Sequence, residues 1–155
     1  MSKGEIANLA VQSSIWLVMI ATFVVYALQL RAMRQSSKGQ NILSLVNYLQ
    51  AQDVREARRV VRTTLKEKAS KSQPWNDSEE ISASMVCSNY DGAAILLRSG
   101  VVPSKPFIEN RGTSIRDCYE VLRPYIKRMQ LPENSGPEYW DDFDWLYQQA
   151  KNRNT

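Results

Sequence analysis

The sequence contains no histidine. A Ser–His or Cys–His nucleophile, a histidine metal site and a near-neutral imidazole base all need that residue, so its absence excludes most hydrolase mechanisms. Glycines such as Gly92, Gly100 and Gly112 occur singly, which excludes a Walker-type or dinucleotide-binding loop. We therefore predict that the protein is not an enzyme, and we expect no catalytic residue, cofactor or metal ligand.

Cysteine is also scarce, and the net charge is small. Cys87 and Cys118 are the two cysteines. Because they lie far apart and in predicted helices, we expect reduced thiols packed in a core rather than a disulfide scaffold. The formal charge of +4 is modest and concentrated in one stretch, which argues against a dedicated nucleic-acid-binding protein.

One long apolar run stands out against this polar chain. Residues 6–30 carry no charged side chain, and the run exceeds the roughly 20 residues that cross a hydrocarbon core of about 30 Å. Arg31, Arg34 and Lys38 follow it, whereas Lys3 precedes it, which predicts that the N-terminus lies outside and the rest in the cytoplasm. A cleaved signal peptide is the alternative, but it would have a shorter apolar core and small residues before the cut.

Small and polar side chains share one stripe of this span, and bulky ones lie opposite. Membrane helices associate through close packing and interhelical hydrogen bonds, so the stripe suits contact with another membrane protein or a second copy of the chain. The alternative is an isolated span that tolerates a few uncharged polar residues. The predicted contact residues are Ser14, Val18, Ala21, Thr22, Val25 and Gln29.

Three regions follow from the composition. Residues 1–34 form a tail and transmembrane anchor, residues 35–40 a hinge rich in Ser, Lys and Gly, and residues 41–155 one compact cytoplasmic domain. Apolar residues recur at helical spacing, and no strand pattern competes with them. We therefore predict an all-α fold, with one transmembrane helix followed by a domain of about five or six helices.

Capping signals predict where the first helices of this domain begin. Asp53 with Glu56 three residues on predicts a capping box, and Asn76 or Asp77 before Glu79 predicts the next helix start. This second helix has two apolar stripes. A central position with both faces covered is therefore expected.

Proline residues predict several helix boundaries in the C-terminal part of the chain. A short helix is expected between Pro103 and Asn110, and another from Thr113, which Pro124 should kink or divide because proline removes a backbone donor. The last helix is predicted to begin at Ser135, where the sequence Ser-Gly-Pro-Glu combines a capping box with proline in the first turn.

Four basic residues share one face of the helix that begins near Asp53. A solvated face, contact with anionic lipid headgroups, and binding of nucleic acid or an acidic protein segment all fit this pattern. No stacking aromatic flanks the face, unlike the surfaces of single-strand binders. This basic stripe comprises Arg55, Arg59, Arg62 and Lys66.

Asp91 and Trp145 are the two remaining candidate site residues that the sequence indicates. Asp91 lies on the helix with two apolar stripes, so it needs a partner, and a structural ion pair with Arg58 is expected. A proton-handling or ligand-binding acid is the alternative. Trp145 falls among the acids of the last helix, which makes it a candidate protein contact unless another helix covers it.

Several short motifs follow one another along the predicted domain. They are Val54-Arg55-Glu56-Ala57-Arg58-Arg59, Tyr90-Asp91 with Ala94, Leu122-Arg123-Pro124-Tyr125-Ile126, and Tyr139-Trp140-Asp141-Asp142-Phe143 with Trp145-Leu146. In this order they resemble the bacterial family DUF4760, over residues 41–150. The resemblance implies an N-terminal span in the bacterial inner (plasma) membrane and a helical cytoplasmic domain, and it implies no activity.

We therefore predict a non-enzymatic accessory or regulatory subunit that acts through protein–protein contacts of its span and its helical domain. The alternative is a membrane-tethered effector or sensor, of the stress or phage-defence type, that acts by oligomerisation or ligand binding. The expected partners are the lipid bilayer, other membrane-protein helices or a second copy, and anionic headgroups. Nucleic acid is not expected.

Overall fold

The chain folds into helices joined by short connections. The computed structural model describes the backbone of residues 3–152 and the side chains of Gln12 and residues 15–152. The elements are α1 (Lys3–Leu49), α2 (Gln52–Val60), a π-helical segment (Val61–Leu65), α3 (Lys66–Ser70), α4 (Asp77–Arg98), α5 (Ser104–Met129) and α6 (Asp141–Asn152). No strand occurs among these described residues, which confirms the all-α prediction.

Contacts divide the chain into two units, Met1–Gln40 and Asn41–Thr155. The described part of the first unit is helical, including residues 35–40, so the Ser, Lys and Gly stretch predicted as a hinge does not interrupt α1. The segment Ile15–Leu49 is long and apolar enough to cross a membrane, and no other helix in the described range meets that test.

Helix α2 begins one residue earlier than predicted. Its N-cap is Ala51, which offers no side-chain acceptor, and Asp53 accepts the N–H of the next residue. Glu56 pairs with Arg59 at 2.6 Å instead of reaching back to the helix start. The predicted capping box is therefore wrong, because a start at Gln52 places Asp53 inside the first turn.

The capping box at the start of α4 is confirmed. The Asn76 side chain accepts the Glu79 N–H at 3.0 Å, and the Glu79 carboxylate accepts the Asn76 N–H at 2.8 Å. Lys68 of α3 contacts the same carboxylate at 2.8 Å. This cap satisfies donors at the N-terminus of α4 and joins it to α3 across the connecting loop.

A single helix, α5, replaces the two helices predicted after Pro103. Pro106 falls in the first turn of α5, where a missing N–H has no effect because that position lacks an intrahelical acceptor. Thr113 is therefore an interior residue and not a helix start. Pro124 also lies inside α5 and does not divide it.

Helix α6 begins at Asp141, so the start predicted at Ser135 is wrong. Residues 137–140 form turns, and Trp140 has a left-handed φ of 59°. The Trp140 side chain is buried, and its indole N–H donates to the Ser88 Oγ at 3.2 Å. Burial of this indole overrides the local helix signal before it.

Aromatic rings fill the centre of the helical domain. Phe143 stacks on Tyr90 with ring centroids 5.1 Å apart, and Tyr119 meets Phe143 edge-on at 5.2 Å, both favourable arrangements. Cys87 and Cys118 are free thiols in the same core, as predicted. Burial raises the pKa of both thiols, that of Cys118 to about 11, so they stay protonated at neutral pH.

Helix α4 buries one of its two apolar stripes and leaves the other partly open. Val86, Tyr90 and Ala93 on the first stripe are buried, whereas Ile81 and Ile95 on the second are 64% and 50% exposed. The prediction that both faces are covered is therefore wrong, because the neighbouring helices leave the second stripe accessible to solvent.

Candidate functional site

A cleft lined mainly by basic side chains lies between α5 and the segment formed by α2, the π turn and α3. Its volume is about 500 Å³, within the roughly 300–1,000 Å³ of small-molecule sites. Six lining residues are basic and one is acidic. This cationic cleft is lined by Arg55, Arg58, Arg59, Arg62, Thr63, Lys66, Asn110, Arg111, Ser114 and Asp117.

The amphipathic pattern of α2 positions one wall of the cleft. Val54 and Ala57 are buried in the core, so the arginines emerge along the border of the buried face. Val61 and Leu65, at the two ends of the π segment, are both fully buried. Single π turns inside α-helices occur frequently at functional sites.

All four residues of the predicted basic stripe line this cleft, which places them at a concave site rather than on a flat face. The opposite wall on α5, with Arg111 and Ser114 one turn apart, escaped prediction. Arg62 and Asp117, which meet across the cleft, are 55 residues apart in sequence. Helical periodicity does not reveal contacts over that distance.

Arg58 is the most deeply buried basic residue of the cleft. Its side chain is 8% exposed, and its Nη2 donates to the Leu49 carbonyl at 2.5 Å. Leu49 is the last residue of α1, where carbonyls lack intrahelical partners and favour a cation. The Nη1 of Arg58 is buried and makes no well-formed hydrogen bond among the described residues, although the Tyr90 hydroxyl is a near neighbour of the guanidinium.

A second buried donor lies on α5. The Nε of Arg111 also has no acceptor in the described part of the chain. Beside it, the Ser114 Oγ and the Tyr90 hydroxyl lie 3.0 Å apart, and either one is able to donate. A buried donor without an acceptor costs about 1–3 kcal/mol, and more when it is charged. Two such donors in one cleft are what an anion would satisfy.

Carboxylates near the cleft are few and exposed. Asp117 pairs with Arg62 at 2.9 Å and Glu56 with Arg59 at 2.6 Å, and all four side chains are more than a third exposed. Such pairs contribute about 0–1 kcal/mol. No described carboxylate lies within ion-pair distance of the remaining basic residues, which are Arg55, Arg58, Lys66 and Arg111.

Asp91 lies at the N-terminus of α6, in what we call the acidic cluster, formed with Asp141 and Asp142. Its Oδ1 accepts the Phe143 N–H at 3.1 Å, and the three carboxylates lie within 4.8 Å of one another. Burial raises the Asp91 pKa, the hydrogen bond from Phe143 opposes this, and the two neighbouring carboxylates add to the rise. The predicted ion pair with Arg58 is therefore wrong, because a backbone donor of α6 satisfies Asp91.

The candidate contact residue Trp145 is partly covered within the molecule. It packs against the hydrophobic core, and the Arg98 guanidinium lies 5.9 Å from its ring centroid. The same arginine pairs with Asp142 at 2.5 Å. These neighbours favour the alternative in which Trp145 is covered by its own domain.

The predicted contact stripe of the span is described only in part. The Thr22 hydroxyl donates to the Val18 carbonyl at 2.8 Å, so it already has a partner inside α1. The side chain of Ser14 lies outside the described residues. Val18 and Val25 are exposed, and the stripe stays a prediction.

Comparison with known proteins identifies the family. The model of the family described as Domain of unknown function (DUF4760) matches residues 16–150. The chain therefore belongs to this family, as its motifs predict. No curated protein and no solved structure matches the chain. The family description assigns no activity, so an inference about function depends on the site.

Proposed function

We propose that this protein is a single-pass membrane protein whose helical domain binds a small anion in the cationic cleft, and that it acts as a membrane-tethered sensor. The observation that carries the proposal is the pair of buried donors, Arg58 Nη1 and Arg111 Nε, in a cleft lined by six basic side chains. A bound anion supplies the missing acceptors and offsets the positive charge.

The chemistry of the lining supports binding rather than catalysis. It offers guanidinium, ammonium, amide and hydroxyl donors, and its one carboxylate, Asp117, pairs with Arg62. The Ser114 hydroxyl contacts the Tyr90 hydroxyl, which is a weak base. Burial raises the Tyr90 pKa, although the nearby Arg58 charge opposes this, so the phenol stays neutral and does not activate a nucleophile.

Helix α1 provides the tether in this proposal. Its segment Ile15–Leu49 has the length and composition of a span, and Arg31, Arg34 and Lys38 favour a cytoplasmic location for the helical domain in a bacterial inner membrane. Protease added outside intact spheroplasts should then leave the domain undigested. Digestion from outside would contradict this topology.

Charge-matched variants of the full chain in detergent test the anion site. Arg55→Gln with Lys66→Gln removes two cleft charges, whereas Arg123→Gln with Lys127→Gln removes the same charges from exposed positions of α5 outside the cleft. Pyrophosphate replaces chloride at constant ionic strength, and tryptophan fluorescence reports the thermal unfolding midpoint.

We expect pyrophosphate to raise the midpoint of the parent and of the α5 control, because a ligand that binds only the folded state stabilises it. The cleft variant should show a much smaller rise. Equal rises in the two variants would assign the effect to general charge screening and contradict the proposal.

An apolar groove favours a second candidate function, that of an accessory subunit acting through protein contacts. The groove lies between the C-terminal end of α1 and α4, has a volume of about 540 Å³, and is lined in part by Tyr48, Leu96 and Val101. These three side chains are exposed, and exposed apolar surface of this kind is typical of contact sites. Co-purification with one protein in a fixed ratio, lost in Leu96→Glu, would support this function; recovery of the parent as a monomer would contradict it.

A further inference from the structure

We infer that the buried Arg58 and the half-buried Arg111 and Ser114 of the cationic cleft hold a terminal phosphoryl group, so that the ligand is a small phosphorylated molecule or headgroup. This inference rests on the proposed anion site and specifies the ligand that it takes. The phosphoryl group has two sources, a soluble compound and a membrane lipid, which share this chemistry.

One donor of this site is fixed in position by its own domain. The Arg58 guanidinium is held by its Nη2 bond to the Leu49 carbonyl, which leaves Nη1 as the buried donor without an acceptor. Guanidinium groups match the geometry of phosphate oxygens, and their planar fork loses little entropy when it binds. The Arg111 Nε is the second buried donor without an acceptor, and the Ser114 hydroxyl provides a third donor when the Tyr90 hydroxyl, 3.0 Å away, donates to it.

The charge of the cleft favours a phosphoryl group over a carboxylate. The lining holds six basic residues and one acid. A phosphomonoester carries about −1.5 to −2 at neutral pH and three strong acceptor oxygens, whereas a carboxylate carries one charge and two oxygens. A phosphoryl group therefore offsets more of the local charge and satisfies more of the buried donors.

The size and lining of the cleft narrow the ligand further. A volume of about 500 Å³ accommodates a phosphoryl group together with an attached organic group or a second phosphate. None of the lining residues is aromatic, so the cleft supplies no platform for stacking a nucleobase. The outer basic side chains then contact further phosphate or hydroxyl oxygens of the ligand, and charge rather than base identity determines selection.

Calorimetric titration of the full chain in detergent tests this inference, with pyrophosphate as the phosphoryl probe and succinate as a dicarboxylate at the same ionic strength. Arg111→Lys keeps the charge but removes the Nε donor, and Arg123→Lys makes the same exchange at an exposed position of α5 outside the cleft. Ser114→Ala provides a second cleft variant that removes only a hydroxyl.

We expect pyrophosphate to bind the parent at least about tenfold more tightly than succinate, since each charge-assisted hydrogen bond contributes about 1.5–3 kcal/mol. Arg111→Lys should lose about tenfold in pyrophosphate affinity and Ser114→Ala a few-fold, with succinate nearly unaffected, and Arg123→Lys should match the parent. Equal affinity for the two probes, weakened alike by the cleft variants, would overturn the phosphoryl inference and leave the anion site intact. No binding of either probe would overturn the proposed function itself.

To distinguish the two sources, the titration is repeated in three kinds of nanodisc: phosphatidylcholine alone, phosphatidylcholine with phosphatidic acid, a lipid with a terminal phosphoryl headgroup, and phosphatidylcholine with phosphatidylserine. Weaker apparent pyrophosphate binding with phosphatidic acid, but not with phosphatidylserine, would assign the cleft to a lipid headgroup. Unchanged binding in all three discs would assign it to a soluble phosphorylated compound. Equal weakening by both anionic lipids would show a general surface-charge effect and would contradict recognition of a phosphoryl headgroup.

Discussion

Charged side chains gather at two places in the helical domain, the cationic cleft between α2 and α5 and the acidic cluster at the N-terminus of α6. In the cluster, Asp91 accepts a backbone N–H of α6 and Asp142 pairs with Arg98. In the cleft, Arg58 and Arg111 each keep a buried donor without an acceptor among the described residues. Asp91 and Asp142 therefore have partners within their own domain, whereas under the proposed function the cleft would gain stability from an added anion.

The largest effect is expected from loss of the Asp91 carboxylate. Asp91→Ala removes an acceptor from the first turn of α6, so the free energy of unfolding in urea should fall by about 1–2 kcal/mol. Glu133→Ala, which removes an exposed carboxylate, is the control. A change no larger than that of the control would show that Asp91 does not anchor α6.

Arg111→Met should stabilise the protein, in contrast to Asp91→Ala. It replaces a buried donor that has no acceptor with an apolar side chain of similar length, so the free energy of unfolding without multivalent anions should rise by about 1 kcal/mol. Arg123→Met, at an exposed position, should stay within about 0.5 kcal/mol of the parent. Clear destabilisation by Arg111→Met would mean that the protein itself satisfies this guanidinium.

A smaller effect is expected on the pH dependence of the free energy of unfolding, through Asp91 of the acidic cluster. Burial raises the Asp91 pKa in the folded state. The stability that protonated Asp91 contributes to the folded protein is therefore fully present below the ordinary pKa of 3.8. That stability is lost as pH rises through the folded-state pKa. Asp91→Asn keeps an acceptor for the Phe143 N–H without the charge. Its stability relative to the parent should therefore be higher at neutral pH than at pH 3 or below, as measured by urea unfolding across that range; no pH dependence of the difference would contradict this.

The smallest expected effect concerns Asp117, which pairs with Arg62 and would compete with an anion for it under the proposed function. Asp117→Asn should raise pyrophosphate affinity by about threefold, because exposed ion pairs of this kind contribute less than about 1 kcal/mol. Calorimetry checks the affinity, and unfolding in urea should show little change. Weaker binding in Asp117→Asn would indicate that the carboxylate supports the ligand instead of competing with it.

Local signals predict those parts of the fold that local chemistry determines. The apolar spacing of Val54, Ala57, Val61 and Leu65 predicts one buried face along α2 and the π segment, and all four are buried. The Asn76 capping box is confirmed because both of its hydrogen bonds form within one helical turn. The start of α6 is different, since burial of the Trp140 indole depends on Ser88 in another helix.

The residues of the cationic cleft are likewise predicted from the sequence only where a local pattern reveals them. The basic stripe of α2 is visible as a periodic pattern, but the pattern does not distinguish a solvated face from a wall of a cleft. The predicted pair of Arg58 with Asp91 rests on charge alone, and the structure gives each of them a backbone partner instead. Arg111 enters the cleft only through the packing of α5 on the π segment, which no local pattern encodes.

The most direct test of the central claim is the thermal unfolding midpoint of the full chain against pyrophosphate concentration at constant ionic strength. We predict that the midpoint of the parent rises with concentration and that Asp91→Ala, from a lower starting value, rises by a similar amount, because the ligand stabilises the folded state of both. Arg111→Met should start higher and rise much less. No rise in the parent, or an equal rise in Arg111→Met, would contradict the claim that the cleft binds an anion through its buried donors.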